Sequence, residues 1–171
     1  LWAQKAPDIT GNSNLYLCEM ANPWTLKGEP VMLSKPEYDW ECRGFWVNEG
    51  PAVLFHGNKL FISYSASATD ENYCMGLLWI DLNADPQNPL NWHKSPRPVF
   101  ATSYENRQYG PGHNSFTQTP EVEDVLVYHA RNYTEIEGDP LYDPNRHTRL
   151  KLVRWNENGM PDFGTPPADT L

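Results

Sequence analysis

The sequence has few basic residues and no long apolar run. Lys and Arg total 13 against 22 Asp and Glu, so the formal net charge is -9 at pH 7. Proteins that bind nucleic-acid phosphates need clustered Lys and Arg, so no nucleic-acid partner is expected. No apolar stretch approaches the roughly 18 residues that a membrane-spanning helix requires, so no membrane association is expected either.

The sequence also lacks a cysteine framework and a helical pattern. Its three cysteines, Cys18, Cys42 and Cys74, are an odd number without the spacing of a metal site, which predicts scattered reduced thiols. The 16 prolines and 11 glycines would interrupt long helices, and no window carries a sustained helical apolar period. Short alternating runs that end at Gly, Pro, Asn or Asp predict an all-β protein instead.

A local pattern occurs twice along the chain with a different polar residue at its start. Glu49 lies 15 positions before Tyr64, and His113 lies 15 positions before Tyr128. In both cases a turn separates the polar residue from an apolar run that reads as a strand. A repeat that keeps its strands and changes one polar residue is typical of a scaffold that carries a site. Glu49 is therefore the first candidate for chemistry.

The repeat extends backwards along the chain. Trp2 precedes Leu15 by 13 positions, just as Tyr64 precedes Leu77. Each unit reads as about four short strands, which is typical of a β-propeller blade, although propeller repeats of about 40 to 50 residues are shorter than these units. A β-sandwich with accidental similarity between its segments is the alternative.

Tryptophans mark the edge of each unit, since Trp24 returns 68 positions later as Trp92. Large aromatic rings fill the space between packed sheets, so most of the seven Trp are expected in the core. Trp46 is the exception, because its position close to Glu49 favours a place in a binding cleft.

Six motifs follow one another along the chain. They are Ser34-Lys35-Pro36-Glu37-Tyr38-Asp39-Trp40-Glu41, Val47-Asn48-Glu49-Gly50-Pro51-Ala52, Ser63-Tyr64-Ser65-Ala66-Ser67-Ala68-Thr69-Asp70, Tyr109-Gly110-Pro111-Gly112-His113-Asn114-Ser115-Phe116, Asp143-Pro144-Asn145-Arg146-His147-Thr148-Arg149 and Trp155-Asn156-Glu157-Asn158-Gly159-Met160-Pro161-Asp162-Phe163-Gly164. In this order and at this spacing they resemble the later part of the catalytic domain of glycoside hydrolase family 43, most closely its α-L-arabinofuranosidase branch.

The resemblance implies an all-β fold of the five-bladed β-propeller family. It covers residues 1–171, which are expected to form a partial propeller of about three blades with the N-terminal blades absent. It also implies hydrolysis, with inversion, of terminal α-L-arabinofuranosyl residues from arabinan or arabinoxylan. The alternatives are a β-xylosidase or endo-arabinanase of the same family, or a truncated carbohydrate-binding remnant without catalysis.

The same resemblance assigns the general acid to Glu49 of Glu49-Gly50-Pro51. An inverting enzyme needs two carboxyl groups across the sugar, roughly 6.5 to 9.5 Å apart, because one protonates the leaving oxygen while the other activates water. Trp46 and Asn48 flank Glu49 and are expected to contact substrate. For a lone Glu, the alternative is an exposed carboxylate at the end of a strand.

The resemblance further implies a calcium ion and a substrate-binding arginine. His113 would help to hold the central Ca²⁺, commonly through water, because calcium prefers oxygen ligands. Arg146, nine positions before Trp155, would reach a substrate hydroxyl or carboxylate with its planar fork of donors, and Arg131 is a second candidate. The alternatives are a hydrogen-bonded His without an ion and surface or inter-blade ion pairs. No organic cofactor is expected.

One part of the family pattern has no counterpart in this sequence. The repeat offsets put the Asp that modulates the acid about 15 positions before Trp2, ahead of the first residue, and the blade with the general base is also missing. Asp8, Asp39 and Asp70 lie in loops or in another register. We therefore expect the acid without its base, either in a fragment of a longer hydrolase or in a natural truncation.

The expected partner is a plant cell-wall oligosaccharide or polysaccharide. Such a substrate favours an extracellular or periplasmic location, with the cytoplasm as the alternative. The sequence makes no prediction of the oligomeric state.

Overall fold

The computed structural model describes residues 1–7 and 12–169, so Asp8 lies outside the described residues. Within these ranges the chain is built of β-strands, with three short 3-10 helices and no α-helix, which confirms the all-β prediction. The helices are Asp39–Glu41, Pro89–Asn91 and Pro140–Tyr142. The strands are β1 (Trp2–Lys5), β2 (Asn12–Asn22), β3 (Thr25–Ser34), β4 (Trp46–His56), β5 (Lys59–Ala66), β6 (Cys74–Asp81), β7 (His93–Lys94), β8 (Tyr109–Gln118), β9 (Asp124–Arg131), β10 (His147–Leu152), β11 (Arg154–Trp155) and β12 (Pro161–Asp162).

The strands form three antiparallel groups that follow the chain. Strands β1, β2 and β3 form the first group, β4 to β7 form the second, and β8, β9 and β10 form a separate sheet. The first two groups belong to one seven-stranded sheet, because β2 pairs with β4 in a short parallel register of Asn12 with Trp46 and Ser13 with Val47. A small hairpin of β11 and β12 follows the third group.

The sequence repeat corresponds to a repeated strand arrangement. Strand β4 pairs with β5 around the turn at Gly57 and Asn58, and β8 pairs with β9 in the same antiparallel manner. Trp24 directly precedes β3 and Trp92 directly precedes β7, which are the edge positions that their spacing predicted.

Strand β5 separates two hydrophobic cores, and its alternating side chains supply both. Phe61 belongs to a core shared with β6, β8 and β9, whereas Ile62 and Tyr64 belong to a core shared with β2. Because successive side chains of a strand point to opposite faces, this division requires a packed layer on each side of β5. The sheet of β4 to β7 therefore lies between the β1–β3 group and the β8–β10 sheet.

A buried carboxylate ties these layers to the loop before β4. Glu41 is 0% exposed, and its Oε1 accepts hydrogen bonds from Asn48 Nδ2 at 2.9 Å and from the Tyr64 hydroxyl at 2.9 Å. Its Oε2 accepts from Lys94 Nζ at 2.9 Å and from two backbone amides at 2.9 and 3.0 Å. Burial, followed by the charge of Glu41, raises the pKa of Tyr64 well above its ordinary value. Five donors thus satisfy a carboxylate that has no contact with water.

The three cysteines are free thiols, as predicted, and Cys18 and Cys74 are buried. None of the helices in the described part of the chain is long and apolar enough to cross a membrane.

Candidate active site

Three of the predicted site residues meet at one cavity of about 600 Å³. Glu49 reaches it from the start of β4, His113 from β8, and Arg146 from the segment that precedes β10. The remaining lining residues are Ser115, Val127, Tyr128, His129, Leu141, Asp143, Pro144 and Thr148. The cavity lies where the second and third strand groups face each other.

A break in the strand register aims Glu49 and allows His113 to approach. The pairing of β4 with β5 shifts between Glu49 and Ala52, and Gly50 in this bulge has φ 54°. Bulges of this kind bend a strand and redirect its side chains. A Cβ at Gly50 would lie 3.1 Å from Nδ1 of His113, so glycine is the residue that leaves room for the imidazole ring.

Glu49 is held by a tyrosine that the sequence did not reveal. The hydroxyl of Tyr73, which lies directly before β6, donates to Glu49 Oε1 at 2.6 Å. Tyr73 is 0% exposed, and burial followed by the charge of Glu49 raises the pKa of the phenol well above its ordinary value. The hydroxyl therefore keeps its hydrogen and acts as a donor to a half-buried carboxyl group that still lines the cavity.

The same hydroxyl also contacts His113. Its oxygen lies 3.3 Å from His113 Nδ1, and its one hydrogen is already directed at Glu49. In the tautomer that carries its hydrogen on Nδ1, His113 donates to this hydroxyl and its Nε2 is an acceptor. The backbone amide of His113 donates to Ser65 Oγ at 2.7 Å, and this bond fixes a residue whose φ is 45°.

His129 is a second residue that the sequence did not single out. Its ring stacks on Tyr73 with centroids 5.5 Å apart and an interplanar angle of 6°. Both ring nitrogens are buried and have no hydrogen-bond partner among the described residues. Burial, followed by the charges of Arg146, His113 and Arg131, lowers the pKa of His129 to about 3. The ring of His129 is therefore neutral near pH 7.

Arg146 places a positive charge in the lining of the cavity. Its Nη2 donates to the carbonyl of Leu141 at 2.9 Å, which anchors the guanidinium while its other donors remain available. The side chain is half-buried, and its charge lowers the pKa of His129. The arrangement suits a donor for hydroxyl groups or a carboxylate of a bound sugar.

The other three predicted site residues are not brought to the cavity. Trp46 is 53% exposed and does not line it. Asn48 is 0% exposed, and its amide accepts from Ser34 Oγ at 2.6 Å and donates to Glu41. Strand alternation is the physical reason, because both residues lie an odd number of positions from Glu49 and point to the opposite face.

Arg131 is committed to the protein interior. It is 1% exposed, and its guanidinium donates to Asp143 Oδ1 at 3.0 Å and to the carbonyls of Thr69 and Pro140. This geometry stabilises the loop that carries Arg146 and offers no route to a sugar. Arg131 therefore does not line the cavity, and its side chain holds the loop behind it.

Asp143 is the second carboxylate of the cavity lining. Its oxygens accept from Arg131, from the Tyr133 hydroxyl at 2.8 Å and from the backbone amide of Asn145 at 2.9 Å. These three donors hold the carboxylate in place and reduce its availability as a base.

The described residues do not by themselves form a metal centre. Within residues 1–7 and 12–169, no three His, Cys, Asp or Glu side chains are grouped so that they could hold a metal ion. In the tautomer that carries its hydrogen on Nδ1, His113 Nε2 can accept a hydrogen bond from a water molecule.

Comparison with known proteins places the chain among carbohydrate-active enzymes. The sequence model of glycosyl hydrolases family 43 matches residues 1–161. The chain is 55% identical over 169 residues to an extracellular exo-α-(1→5)-L-arabinofuranosidase of Streptomyces avermitilis, and 48% identical over 171 residues to α-L-arabinofuranosidase 43 of Humicola insolens. These matches cover 98% and 99% of the chain but 35% and 36% of the relatives, so the chain spans about a third of their length.

Solved structures agree with this relationship. The crystal structure of an α-L-arabinofuranosidase from Lactobacillus brevis superposes with a TM-score of 0.95 at 59% identity, over 99% of this chain and 53% of that one. A thermostable family-43 glycoside hydrolase superposes with a TM-score of 0.70 at 28% identity, over 95% of this chain and 53% of its own.

Proposed function

The chain belongs to glycosyl hydrolases family 43, and from this premise we propose that it supplies the acid side of the active site of an inverting α-L-arabinofuranosidase. Glu49 is the proposed general acid, and the substrate is a terminal α-L-arabinofuranosyl residue of arabinan or arabinoxylan. The observation that carries the proposal is the cavity in which Glu49, His113 and Arg146 meet.

The surroundings of Glu49 suit proton transfer to a leaving oxygen. One oxygen of its carboxyl group is engaged by Tyr73, which leaves the other for the cavity. Arg146, on the wall formed by the segment before β10, would bind a sugar hydroxyl and hold the glycosidic oxygen within reach of Glu49. The protonated acid would donate to that oxygen while the bond to the anomeric carbon breaks.

We propose that the general base is not among the described residues. Asp143, the other carboxylate of the lining, is held by three donors and is poorly suited to remove a proton from water. Since the chain spans about a third of its curated relatives, a carboxylate from another part of such a protein would stand across the sugar. The inverting geometry calls for a separation of roughly 6.5 to 9.5 Å from Glu49.

The fold that we propose is a partial β-propeller of about three blades. The support is the succession of three antiparallel strand groups, β1–β3, β4–β7 and β8–β10, stacked face to face around the two cores. Glu49 and His113 lie in the first halves of the first strands of neighbouring groups, which is the position of residues that face the axis of a propeller.

Calcium remains a proposal that rests on His113. In the tautomer that carries its hydrogen on Nδ1, His113 would accept at Nε2 a hydrogen bond from a water molecule of a hydrated cation, whereas the described residues offer no direct ligand cluster. When bound, the ion would supply positive charge near the sugar, and no step of the proposed mechanism passes through it.

Arabinofuranosidase activity is favoured over β-xylosidase activity by the named relatives. Proteins named arabinofuranosidases are 47 to 59% identical to the chain, whereas a structure named xylan β-1,4-xylosidase is 17% identical and supports the fold alone. The relative from Streptomyces avermitilis is named extracellular, and we propose the same location and a plant cell-wall polysaccharide substrate for this chain.

The test is release of 4-nitrophenol from the α-L-arabinofuranoside and the β-D-xyloside, with the 171-residue chain and with a longer protein that contains it. Activity of the longer protein alone, with preference for the arabinofuranoside, supports the proposal. Activity of the 171-residue chain would assign the base to a residue within it and refute our assignment of that role. If neither protein releases 4-nitrophenol, a carbohydrate-binding remnant is favoured. Isothermal titration calorimetry with arabino-oligosaccharides is then the next measurement.

A further inference from the structure

We propose that Tyr73 is the positioning residue of Glu49 and that Gly112 provides the space for its ring. In this arrangement the Tyr73 hydroxyl decides which carboxyl oxygen of Glu49 carries the transferable proton. The inference rests on the proposed function of Glu49 as the general acid.

The hydroxyl of Tyr73 has a single hydrogen, and it is directed at Glu49 Oε1 over 2.6 Å. A neutral carboxyl group has one oxygen that carries hydrogen and one that accepts. Because Oε1 is occupied as an acceptor, the proton of the neutral acid must lie on Oε2. The contact therefore sets the direction in which Glu49 donates, without touching the sugar.

The ring of Tyr73 is fixed from several directions. It is 0% exposed and stacks on His129, while its hydroxyl also lies 3.3 Å from His113 Nδ1. Its backbone amide donates to the carbonyl of Asp70 at 3.2 Å, which closes the turn before β6. A donor held so firmly can orient a carboxyl group that stands beside an open cavity. Burial keeps the phenol neutral, as its raised pKa indicates.

Gly112 explains part of the motif Gly110-Pro111-Gly112-His113. A Cβ at Gly112 would lie 2.5 Å from Cε1 and 2.7 Å from Cδ1 of Tyr73. Side-chain atoms do not approach each other this closely, so any larger residue at position 112 would displace the ring. The second glycine of the motif is therefore needed because the ring of Tyr73 occupies the space that a side chain at position 112 would fill.

The same relation occurs a second time in the molecule, away from the cavity. A Cβ at Gly76 would lie 2.2 Å from the ring of Tyr64, whose hydroxyl donates to Glu41 Oε1 at 2.9 Å. Glu41 is fully buried and has five donors, so this second arrangement stabilises the fold. The chain thus contains a matched control for the arrangement at Glu49.

The experiment uses Tyr73→Phe in an active protein that contains this chain, because phenylalanine keeps the ring and removes only the hydroxyl. We expect kcat on arabino-oligosaccharides to fall about tenfold or more, as part of the 100-fold or larger effect typical of general acid catalysis. On the 2,4-dinitrophenyl arabinofuranoside, whose leaving group needs no proton, kcat should stay within about twofold. KM should be unchanged on both substrates, because Tyr73 does not touch the sugar.

Gly112→Ala is expected to reproduce this selective loss, since its methyl group displaces the ring. Tyr64→Phe is the control: it removes a donor from Glu41 and should lower the denaturation midpoint without any selectivity between leaving groups. An equal loss on both substrates in Tyr73→Phe, or no loss on either, would overturn the inference.

Failure of the proposed function would look different. In that case the unmodified protein would be inactive, or Glu49→Gln would show no selectivity between leaving groups. An active protein with a selective Glu49→Gln variant and an unselective Tyr73→Phe variant would refute the role of Tyr73 alone.

Discussion

Replacing Lys94 by Met should destabilise the protein strongly, because Lys94 is the cationic partner of a fully buried carboxylate. Its Nζ lies 2.9 Å from Glu41 Oε2, and the two side chains are 12% and 0% exposed. Methionine has a similar length and no charge, so the variant leaves Glu41 buried without its cationic partner. The other four donors to Glu41 would remain in place.

The expected size of the effect follows from this partial compensation. Removing one partner of a buried ion pair costs about 3 to 5 kcal/mol. Because four hydrogen bonds still solvate Glu41, we expect the lower end, about 3 kcal/mol. For a domain of this length that is roughly 6 to 12 °C in Tm.

The chain offers a matched control in Lys27, which pairs with Glu19 at 2.7 Å on the surface. These two side chains are 63% and 50% exposed. Exposed ion pairs contribute about 0 to 1 kcal/mol, so Lys27→Met should be nearly neutral. Urea denaturation of both variants, followed by tryptophan fluorescence, measures the difference. If Lys94→Met costs no more free energy of unfolding than Lys27→Met, the buried network does not stabilise the fold as argued.

Two further predictions concern the cavity. Arg146→Lys keeps the charge and loses the planar fork of the guanidinium. The KM for arabino-oligosaccharides should therefore rise about tenfold, as expected for a lost charge-assisted hydrogen bond, with a smaller change in kcat. An unchanged KM would contradict substrate binding by Arg146. The second concerns the pKa of His129, which is lowered to about 3 by burial and by the neighbouring charges of Arg146, His113 and Arg131, against about 6.5 in an unfolded chain. Between these two pKa values the unfolded state binds a proton at His129 that the folded state does not. The contribution of His129 to the free energy of unfolding is therefore fully present above about pH 6.5 and decreases as the pH falls towards 3. His129→Phe keeps the stack on Tyr73, and its Tm should fall less between pH 6.5 and pH 4 than that of the unmodified protein; parallel curves would contradict the prediction.

The strand arrangement was predictable because spacing along a repeat reflects strand length and turn length. The offset shared by the Glu49 and His113 segments is the span of a β-hairpin, and the structure contains a hairpin at each place. The motif around each residue also predicted that both would meet, since equivalent positions of stacked sheets lie at the same end. Arg146, which comes from a third segment of the chain, was predicted as a site residue from the family resemblance, and it lines the same cavity.

The predicted site residues that do not line the cavity differ in how far the sequence could have indicated their placement. Trp46 and Asn48 are three positions and one position before Glu49, so strand alternation turns both away from the face of Glu49. Proximity along the chain was a poor guide there. The burial of Arg131 had no such local signal, because its partner Thr69 lies 62 positions away along the chain.

Tyr73 could not be predicted from its own surroundings. It lies in the loop between β5 and β6, and nothing local shows that its hydroxyl spans 24 positions of sequence to reach Glu49. The available signal was indirect: Gly76 and Gly112 are glycines within strands, which often mark a close approach of another group. In both cases that group is a tyrosine ring.

The most direct test of the account is the leaving-group dependence of Glu49→Gln in an active protein that contains this chain. We expect kcat/KM on arabino-oligosaccharides to fall by about 10² to 10⁴, because the amide cannot supply the proton. The 2,4-dinitrophenyl arabinofuranoside should be hydrolysed at nearly the original rate, and Glu121→Gln, an exposed glutamate outside the cavity, should match the unmodified protein on both substrates. An equal loss on both substrates in Glu49→Gln would contradict the assignment of Glu49 as the general acid.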